Sequence, residues 1–350
     1  MINCIELDQR KIGPDNPCFI IAEAGVNHNG DLNMARQLID VAIEAKADAV
    51  KFQTFKADHV MTPFAPKASY QKDATGPEES QLDMVRKLEL SKEAHEELAS
   101  YAMERGILFM STPFDEPSVD LLDGLGIPIF KIPSGEITNL PFLEYVSNKK
   151  KPIIMSTGMS TLGEVETAVE IVSDTGNNQL VLLHCVSNYP AAPADVNLLA
   201  MLTMRQAFGC PVGFSDHTLG IEIPIAATAL GACVIEKHFT LDRSLPGPDH
   251  QASLEPDQLA EMIRAIRNVE VSLGDGKKHP AHREIEIAKI ARRSLVAAQD
   301  INSGTMIEKD MISIKRPGTG LHPPMLNQLI GRRTRIDISA GEILTLSMFS

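Results

Sequence analysis

Eight short apolar runs recur between the amino terminus and residue 240, and a stretch with helical periodicity separates each run from the next. The runs are rich in β-branched residues and occupy residues 18–24, 49–54, 107–112, 127–133, 152–157, 180–186, 212–215 and 233–239. Continuous apolar strands that alternate with helices are typical of a parallel sheet with both faces covered. Because the alternation occurs eight times, it predicts a (β/α)8 barrel.

The helical stretches support this fold class, because several begin at residues that cap helices, such as Asp31, Ser91 and Thr161. The predicted helices cover residues 32–45, 92–105, 117–125, 140–147, 162–173, 197–208, 221–230 and 256–273. An open, doubly wound sheet is the competing arrangement. The eight repeats favour the barrel, as does the lack of a G-x-G-x-x-G motif after the first strand.

Polar side chains stand at the end of every predicted strand. In a barrel these ends meet at one mouth, which is where barrel enzymes carry their active sites. A single polar strand end is usually a solvated turn, but eight in succession predict a functional mouth. In chain order they are Glu23, Asn27 and His28; Lys51 and Gln53; Ser111 and Thr112; Lys131, Ser134 and Glu136; Ser156 and Thr157; His184, Asn188 and Tyr189; His217; and His238.

Two histidines, His217 and His238, follow the seventh and eighth strands. If these strands are parallel neighbours, the two imidazoles emerge at the same end of the sheet and can bind one divalent metal ion. Two unrelated polar strand ends are the alternative. Imidazole ligands suit Mn²⁺, Fe²⁺, Co²⁺ or Zn²⁺ without choosing among them, and such an ion can polarise a carbonyl oxygen.

Cations and acids at the mouth indicate an anionic substrate. Lys51, Lys131, Ser134 and Ser156 combine two ammonium groups with two hydroxyls, which suits a phosphate and a carboxylate. Candidate proton carriers are Glu23, Glu136, Glu236 and Asp249, although structural pairing with lysines is the alternative for each. The residues thus predict a metal-assisted reaction between an anion and a carbonyl compound.

Composition excludes several functional classes. A net charge of −13 argues against a nucleic-acid or anionic-membrane surface. The first residues do not resemble a signal peptide, and no apolar run approaches the length of a membrane helix. The five cysteines lack Cys-x-x-Cys spacing, and three of them lie in or beside apolar strand-like runs, where a small buried thiol is expected. We therefore expect a cytoplasmic protein.

The sequence predicts three segments: a barrel over residues 1–274, a linker over residues 275–292 and a small domain over residues 293–350. The linker is polar and charged, whereas the small domain has short apolar runs separated by turn signals. Residues 55–90 form an insertion after the second strand, either an excursion over the mouth or a plain surface loop. A basic pair, Lys315 and Arg316, precedes Pro317 on a stiff turn.

The motifs of both domains resemble the sialic acid synthase family. They are IIAEAGVNHNG (20–30), VKFQT (50–54), STPFD (111–115), FKIPSGEITNLP (130–141), STGM (156–159), LLHC (182–185), GFSDHT (213–218), IEKHFTLD (235–242), GPDH (247–250) and KRPG (315–318). The resemblance implies a (β/α)8 TIM barrel followed by an antifreeze-like (SAF) domain. It further implies a homodimer in which each SAF domain covers the partner's barrel.

The same resemblance implies a chemistry. The family condenses phosphoenolpyruvate with an N-acetylated amino sugar, and N-acetylmannosamine gives N-acetylneuraminate. By matching motif, His217 and His238 would bind the metal, with Mn²⁺ expected and Mg²⁺ or Co²⁺ as alternatives. Glu23 would position the attacking water. The residues that would hold phosphoenolpyruvate are Lys51, Thr112, Lys131, Ser134 and Ser156, and those that would contact the sugar or the intermediate are Gln53, Glu136, Tyr189, Asp249 and Arg316.

The product is less well defined by sequence. N-Acetylneuraminate is the first prediction, because that synthase is the commoner member of the family. N,N'-Diacetyllegionaminate or pseudaminate, made from a diacetamido-trideoxyhexose, is the alternative. In the motif after the sixth strand, His184 to Pro190, the residues between Cys185 and Tyr189 vary in the family and give little guidance on the sugar. A metal-dependent hydrolase and a non-catalytic sugar-binding protein are the other classes considered.

Overall fold

A nearly closed sheet of eight parallel strands forms the first of two units in the computed structural model, which describes residues 4–7, 10–68, 71–72, 76 and 78–350. The units are Met1–Gly274 and Asp275–Ser350. In chain order the strands are β1 (Ile5–Leu7), β2 (Arg10–Ile12), β3 (Phe19–Gly25), β4 (Ala49–Thr54), β5 (Leu108–Pro113), β6 (Phe130–Ile132), β7 (Ile153–Ser156), β8 (Leu180–Cys185), β9 (Val212–Asp216), β10 (Val234–His238), β11 (Ser294–Ala297) and β12 (Ile312–Lys315).

The strand order of the large sheet is that of a barrel. It runs β5-β4-β3-β10-β9-β8-β7-β6, and β5 and β6 lie side by side where the sheet closes. The first strand, β3, therefore pairs with the last, β10, which an open doubly wound sheet would not allow. Their register places His238 beside Glu23, and β4 places Lys51 on the other side of Glu23. The predicted (β/α)8 barrel is confirmed.

Helices follow the strands as predicted, and the side chains of Asp31, Ser91 and Thr161 cap them by accepting hydrogen bonds from backbone N–H groups. Two predicted boundaries are wrong by three residues. Asn197 has a φ of +49° and its helix begins at Ala200, and the strand predicted from residue 127 begins at Phe130. The barrel helices are Leu32–Glu44, Lys92–Arg105, Glu116–Gly124, Leu140–Ser147, Leu162–Asp174, Ala200–Phe208, Glu222–Ala229 and Pro256–Leu273.

The barrel interior has an apolar lower layer and a polar upper layer. Its lower layer contains Ile21, Ala49, Met110, Ile129, Ile154, Leu183 and Val234, all buried. Alternate residues of a strand point to the same face, so the residue two positions further on also points inward. On every strand that residue is polar, and the set is Glu23, Lys51, Thr112, Lys131, Ser156, Cys185, Ser215 and Glu236.

An amino-terminal hairpin, which the sequence did not predict, closes the bottom of the barrel. Strands β1 and β2 pair antiparallel, and Ile5, Leu7 and Ile12 pack against the lower apolar layer. These three side chains are at most 6% exposed. Water is therefore kept from the floor beneath the polar layer, which strengthens electrostatic interactions above it.

The insertion after β4 carries short helices, Ala57–Val60 and Gln81–Arg86, within its described residues. Phe55 and Leu88, at its two ends, pack with Val26 in a small apolar cluster. The insertion thus has its own apolar contacts beside the end of β3, which a purely solvated surface loop would lack.

The second unit, Asp275–Ser350, contains helices His282–Ala291 and Leu326–Leu329 and the antiparallel pair β11–β12. The segment predicted as a linker therefore includes a helix. A separate core of residues such as Leu295, Leu329 and Phe349 supports this unit. No helix in the described part of the chain combines the length and apolarity needed to cross a membrane.

Candidate active site

A cavity of about 340 Å³ lies at the carboxyl ends of the barrel strands, directly above the polar interior layer. Ten of the residues predicted for the site line it, which confirms that the strand ends converge. They are Glu23, Lys51, Gln53, Thr112, Lys131, Ser134, Ser156, Tyr189, His217 and His238. The volume suits small metabolites rather than a polymer.

Four charged side chains form a buried cluster on the cavity floor. Lys51 Nζ lies 2.6 Å from Glu23 Oε2 and 3.8 Å from Glu236 Oε2, and Lys131 Nζ lies 3.5 Å from Glu236 Oε1. Each of the four is at most 5% exposed. Removing such ions from water costs several kcal/mol per ion, and well-packed apolar residues would often be at least as stable. Such a cluster therefore points to a functional role.

Hydroxyl groups fix the positions of the two ammonium groups. Lys51 Nζ donates to Thr112 Oγ1 at 2.7 Å, and Lys131 Nζ donates to Ser156 Oγ at 2.8 Å. Ser134 Oγ accepts a hydrogen bond from the Gly158 N–H at 2.9 Å. The lysines are thus held in place before a ligand arrives, which lowers the entropy that binding an anion must overcome.

The acids of the cluster differ in proton affinity. Burial raises the pKa of Glu23 to about 7, against the opposing effect of Lys51. Burial alone would also raise the pKa of Glu236, but Lys131 and Lys51 outweigh it and lower that pKa. Two carboxyl groups with pKa values pushed apart are typical of acid–base sites, and Glu23 is the one suited to exchange a proton near neutral pH.

The two predicted metal ligands lie side by side, with ring centroids 5.4 Å apart. His217 Nδ1 is 2.8 Å from the Val186 carbonyl, which can only accept, so Nδ1 carries a proton and the neutral ring has its lone pair on Nε2. Burial lowers the pKa of His238 well below its usual range and keeps that ring neutral. Gly25 allows the close packing, since a Cβ there would be 3.3 Å from His238 and its φ is +54°.

A divalent metal fits this pair only as an open site. Both rings can present a neutral nitrogen, and His238 Nδ1 is buried without a hydrogen-bond partner among the described residues. In the same described part of the chain, no group of three or more His, Cys, Asp or Glu side chains is arranged to hold a metal ion. The remaining positions would go to substrate or water, as in catalytic metal centres.

Three predicted site residues lie elsewhere. Glu136 follows β6 in a 3₁₀ turn and accepts from Asn139 Nδ2 at 2.7 Å, so it does not line the cavity. Asp249 lines an adjoining cavity, with Oδ2 3.9 Å from His238 Nδ1. Arg316 is an exposed residue of the second unit, immediately after β12.

The polar interior layer adds Cys185, Ser215 and Glu236 to the cavity lining. The sequence analysis named Glu236 only as a candidate proton carrier and did not place Cys185 or Ser215 in the site. Ser215 Oγ donates to Glu236 Oε1 at 3.2 Å, and Cys185 Sγ is 3.6 Å from His217 Nδ1. Strand alternation could have identified all three, because each stands two residues beyond an inward-facing position of its strand.

Comparisons with known proteins agree with this geometry. The NeuB family model matches residues 38–278, and the SAF domain model matches residues 292–350. An N,N'-diacetyllegionaminic acid synthase from Legionella pneumophila is 50% identical over 336 residues, which cover 95% of this chain and 94% of that protein. One of the same name from Campylobacter jejuni is 50% identical over 93% of this chain and 98% of its own length.

A solved structure adds a three-dimensional likeness. It is the N-acetylneuraminic acid (sialic acid) synthetase of Leptospira borgpetersenii in complex with citrate, with a TM-score of 0.72 and 40% sequence identity over 81% of this chain and 94% of that one. The family model matches more than half of this chain, and both relatives cover nearly all of it. This chain therefore belongs to the NeuB family of sialic acid synthases.

Proposed function

We propose that this enzyme is an N,N'-diacetyllegionaminate synthase. It condenses phosphoenolpyruvate with 2,4-diacetamido-2,4,6-trideoxymannose and water, and it releases phosphate. The two relatives at 50% identity carry this name, which supports the product that the sequence analysis placed second. N-Acetylneuraminate, placed first there, is less specifically supported and becomes the alternative that the experiment below tests.

One observation carries the chemical part of this proposal. Two buried lysines and two adjacent imidazoles face one cavity at the carboxyl ends of the strands. The lysines suit an anion that bears phosphate and carboxylate groups, and the imidazoles suit a divalent metal ion, which would supply Lewis-acid polarisation of a carbonyl group. A condensation between phosphoenolpyruvate and an aldehyde needs both kinds of group within one cavity.

Phosphoenolpyruvate would bind over Lys51 and Lys131, with the hydroxyls of Thr112, Ser134 and Ser156 around it. These lysines already form hydrogen bonds to Thr112 and Ser156 and need little reorganisation. Carbon 3 of the enol ester would then lie toward the histidines, where the aldehyde is held. Holding the two reacting carbons in contact removes much of the entropic barrier to the new bond.

His217 and His238 would hold the metal, which we expect to be Mn²⁺, with Mg²⁺ or Co²⁺ as alternatives. When bound, the ion supplies Lewis-acid polarisation of the aldehyde oxygen. Tyr189 packs against His217 with the rings tilted by 38° and their centroids 4.0 Å apart, and it would limit the positions that a sugar can take. Gln53, Tyr189 and Asp249 would contact the sugar, and Glu136 would assist after a change of rotamer.

Glu23 would act as the base that accepts the proton of the attacking water. Carbon 3 of phosphoenolpyruvate forms a bond to the aldehyde carbon, which leaves carbon 2 electron-deficient. The water oxygen adds to carbon 2 while its proton passes to Glu23, whose pKa of about 7 suits that transfer. The bond between carbon 2 and the bridging oxygen then breaks, so the new carbon-2 hydroxyl becomes the carbonyl of the 2-keto acid and its proton leaves with phosphate. The proton held by Glu23 passes to the former aldehyde oxygen, which ends as a hydroxyl group.

The assembly belongs to the same proposal. The family resemblance leads us to propose a homodimer in which Arg316 of one copy reaches the N-acetyl group of the sugar bound in the other. Arg316 is exposed immediately after β12, so its side chain is accessible to a second copy of the chain. Its planar guanidinium suits an amide oxygen.

The test measures phosphate release from phosphoenolpyruvate with Mn²⁺ and either of two sugars. We expect kcat/KM for 2,4-diacetamido-2,4,6-trideoxymannose to exceed that for N-acetylmannosamine by at least tenfold, about what contacts to one extra group provide. A reversed ratio would make the enzyme an N-acetylneuraminate synthase. No release with either sugar would reject the condensation.

A further inference from the structure

A second cavity, of about 220 Å³, opens beside the catalytic one. The two share Gln53, Phe114 and Tyr189, so a ligand can extend from one into the other. We call this second cavity the side chamber. It lies against the insertion after β4 and the segment before Asp249, whereas Lys131 and Ser156 come from β6 and β7. A sugar whose aldehyde is at the histidines therefore has the side chamber available on the side away from Lys131.

Most of the side chamber's described lining is apolar. The members are Val26, Phe55, Val60, Met61, Met84, Val85, Leu88, Phe114 and Pro248. Phe55 and Phe114 pack edge to face with centroids 6.0 Å apart, which gives the wall a fixed shape. A hydroxyl group in such a wall loses its hydrogen bonds to water, whereas a methyl group gains contacts.

Among the described residues of this lining, Gln81 carries a buried side-chain acceptor, Oε1, that has no hydrogen-bond partner. A buried acceptor without a partner is uncommon in folded proteins and calls for an explanation. An N–H group from a ligand would satisfy it. A mostly apolar wall that carries a buried, unpartnered acceptor matches an acetamido group, which combines a methyl group with one N–H donor.

We propose that the side chamber recognises the acetamido group on carbon 4 of the sugar, together with the carbon-6 methyl. Gln81 Oε1 accepts the amide hydrogen, and Val60, Val85 and Phe114 contact the methyl groups. This inference rests on the proposed function, and it identifies the residues that would select the diacetamido sugar. N-Acetylmannosamine has hydroxyl groups at both carbons and would leave the apolar wall uncovered.

The experiment compares kcat/KM for the two sugars in three variants. Gln81→Leu removes the acceptor at nearly constant volume, and Val85→Thr, one helical turn away, replaces a methyl with a hydroxyl. Leu82→Met is the matched control, because Leu82 is a buried residue of the same helix that does not line the chamber. Circular dichroism and melting temperatures establish that each variant is folded.

We expect both chamber variants to lower the preference for 2,4-diacetamido-2,4,6-trideoxymannose over N-acetylmannosamine by about tenfold. The KM for phosphoenolpyruvate and all values of the control should stay within twofold. If the wild type prefers the diacetamido sugar and both folded variants keep that preference, this inference alone is overturned. If the wild type prefers N-acetylmannosamine, the proposed function is overturned and this inference with it.

Discussion

Lys131 is the residue whose role follows most directly from its contacts. Its Nζ donates to Ser156 Oγ at 2.8 Å and to the Ile132 carbonyl at 3.2 Å, and it lies 3.5 Å from Glu236. Burial lowers the pKa of Lys131, with Glu236 opposing that effect. A buried ammonium group is costly to keep, and an anionic group of the substrate that pairs with Lys131 would explain why it is present.

The variant Lys131→Met tests this role. A hydrogen bond to a charged group is worth about 1.5–3 kcal/mol, so kcat/KM for phosphoenolpyruvate should fall roughly tenfold to a hundredfold. The KM for the sugar should change much less. Lys149→Met is the control, because Lys149 pairs with Asp120 at the surface. Equal losses for both substrates would show that Lys131 supports the barrel rather than the anion.

At this scale, the sequence predicted residues on regular strands better than residues on loops. Glu23, Lys51 and Lys131 follow from strand period and from the polar ends of the strands. Glu136 was predicted for the site but turns toward Asn139, because it lies in a 3₁₀ turn whose direction no periodicity defines. Glu236 was recognised only as a candidate acid, although it stands two residues before His238 on the same strand face.

At the scale of elements, the loop after β3 holds the loop after β10. Asn27 Nδ2 donates to the Phe239 carbonyl at 2.8 Å and to Ser253 Oγ at 2.9 Å, and Ser253 Oγ donates to the Asp249 carbonyl at 2.6 Å. Asn27 and Ser253 are at most 1% exposed. Asp249 is therefore positioned by a buried chain of hydrogen bonds that begins on a different loop.

The variant Asn27→Ala should loosen Asp249 without touching substrate. We expect the KM for the sugar to rise severalfold while the KM for phosphoenolpyruvate stays within twofold. The free energy of unfolding should fall by about 1–3 kcal/mol, because the Phe239 carbonyl loses its donor. Ser253→Ala should reproduce the sugar effect, and Ser272→Ala, on the helix Pro256–Leu273, should not. A change confined to stability would remove Asn27 from any positioning role.

Buried histidines in the same loops make stability depend on pH. Burial lowers the pKa of His28 and of His250 to about 4, from 6.5. Between these values the unfolded chain binds protons that the folded chain does not, so stability is full above pH 6.5 and declines as the pH falls toward 4. As the pH falls through that window, each histidine should lower the free energy of unfolding by about 3 kcal/mol.

Urea unfolding at about pH 7.5 and pH 5 checks this prediction, with chelator present to remove bound metal. The wild type should be less stable at the lower pH. His28→Gln should lose less stability between the two conditions, because one proton-binding group is gone. An unchanged difference between the two pH values would mean that His28 takes up a proton without unfolding.

Elements were predictable to different degrees. Strands buried on both faces and helices with clear caps, such as those starting after Ser91 and Thr161, were found near their observed boundaries. The hairpin β1–β2 was missed, because its strands are three residues each and too short to show a period. The helix His282–Ala291 was missed because its charged surroundings resemble a linker.

On the scale of the whole molecule, the chain consists of a barrel unit and a second unit that begins at Asp275. Their folds follow from local pattern, whereas a role for Arg316 in a partner's site follows only from family resemblance. The sequence of one chain does not show whether Arg316 contacts a sugar in its own barrel or in the barrel of a second copy. That question needs an experiment in which the two copies differ.

Mixed dimers provide this experiment. One copy carries His238→Ala, which removes a predicted metal ligand from its barrel, and the other carries Arg316→Ala. Each variant alone should be nearly inactive with the sugar. If Arg316 serves the partner, the mixed dimer contains one complete site, namely the unmutated barrel served by the unmutated arginine, and co-expression should restore about a quarter of wild-type activity. If Arg316 serves its own barrel, both sites of the mixed dimer are defective, and activity should stay at the level of the single variants.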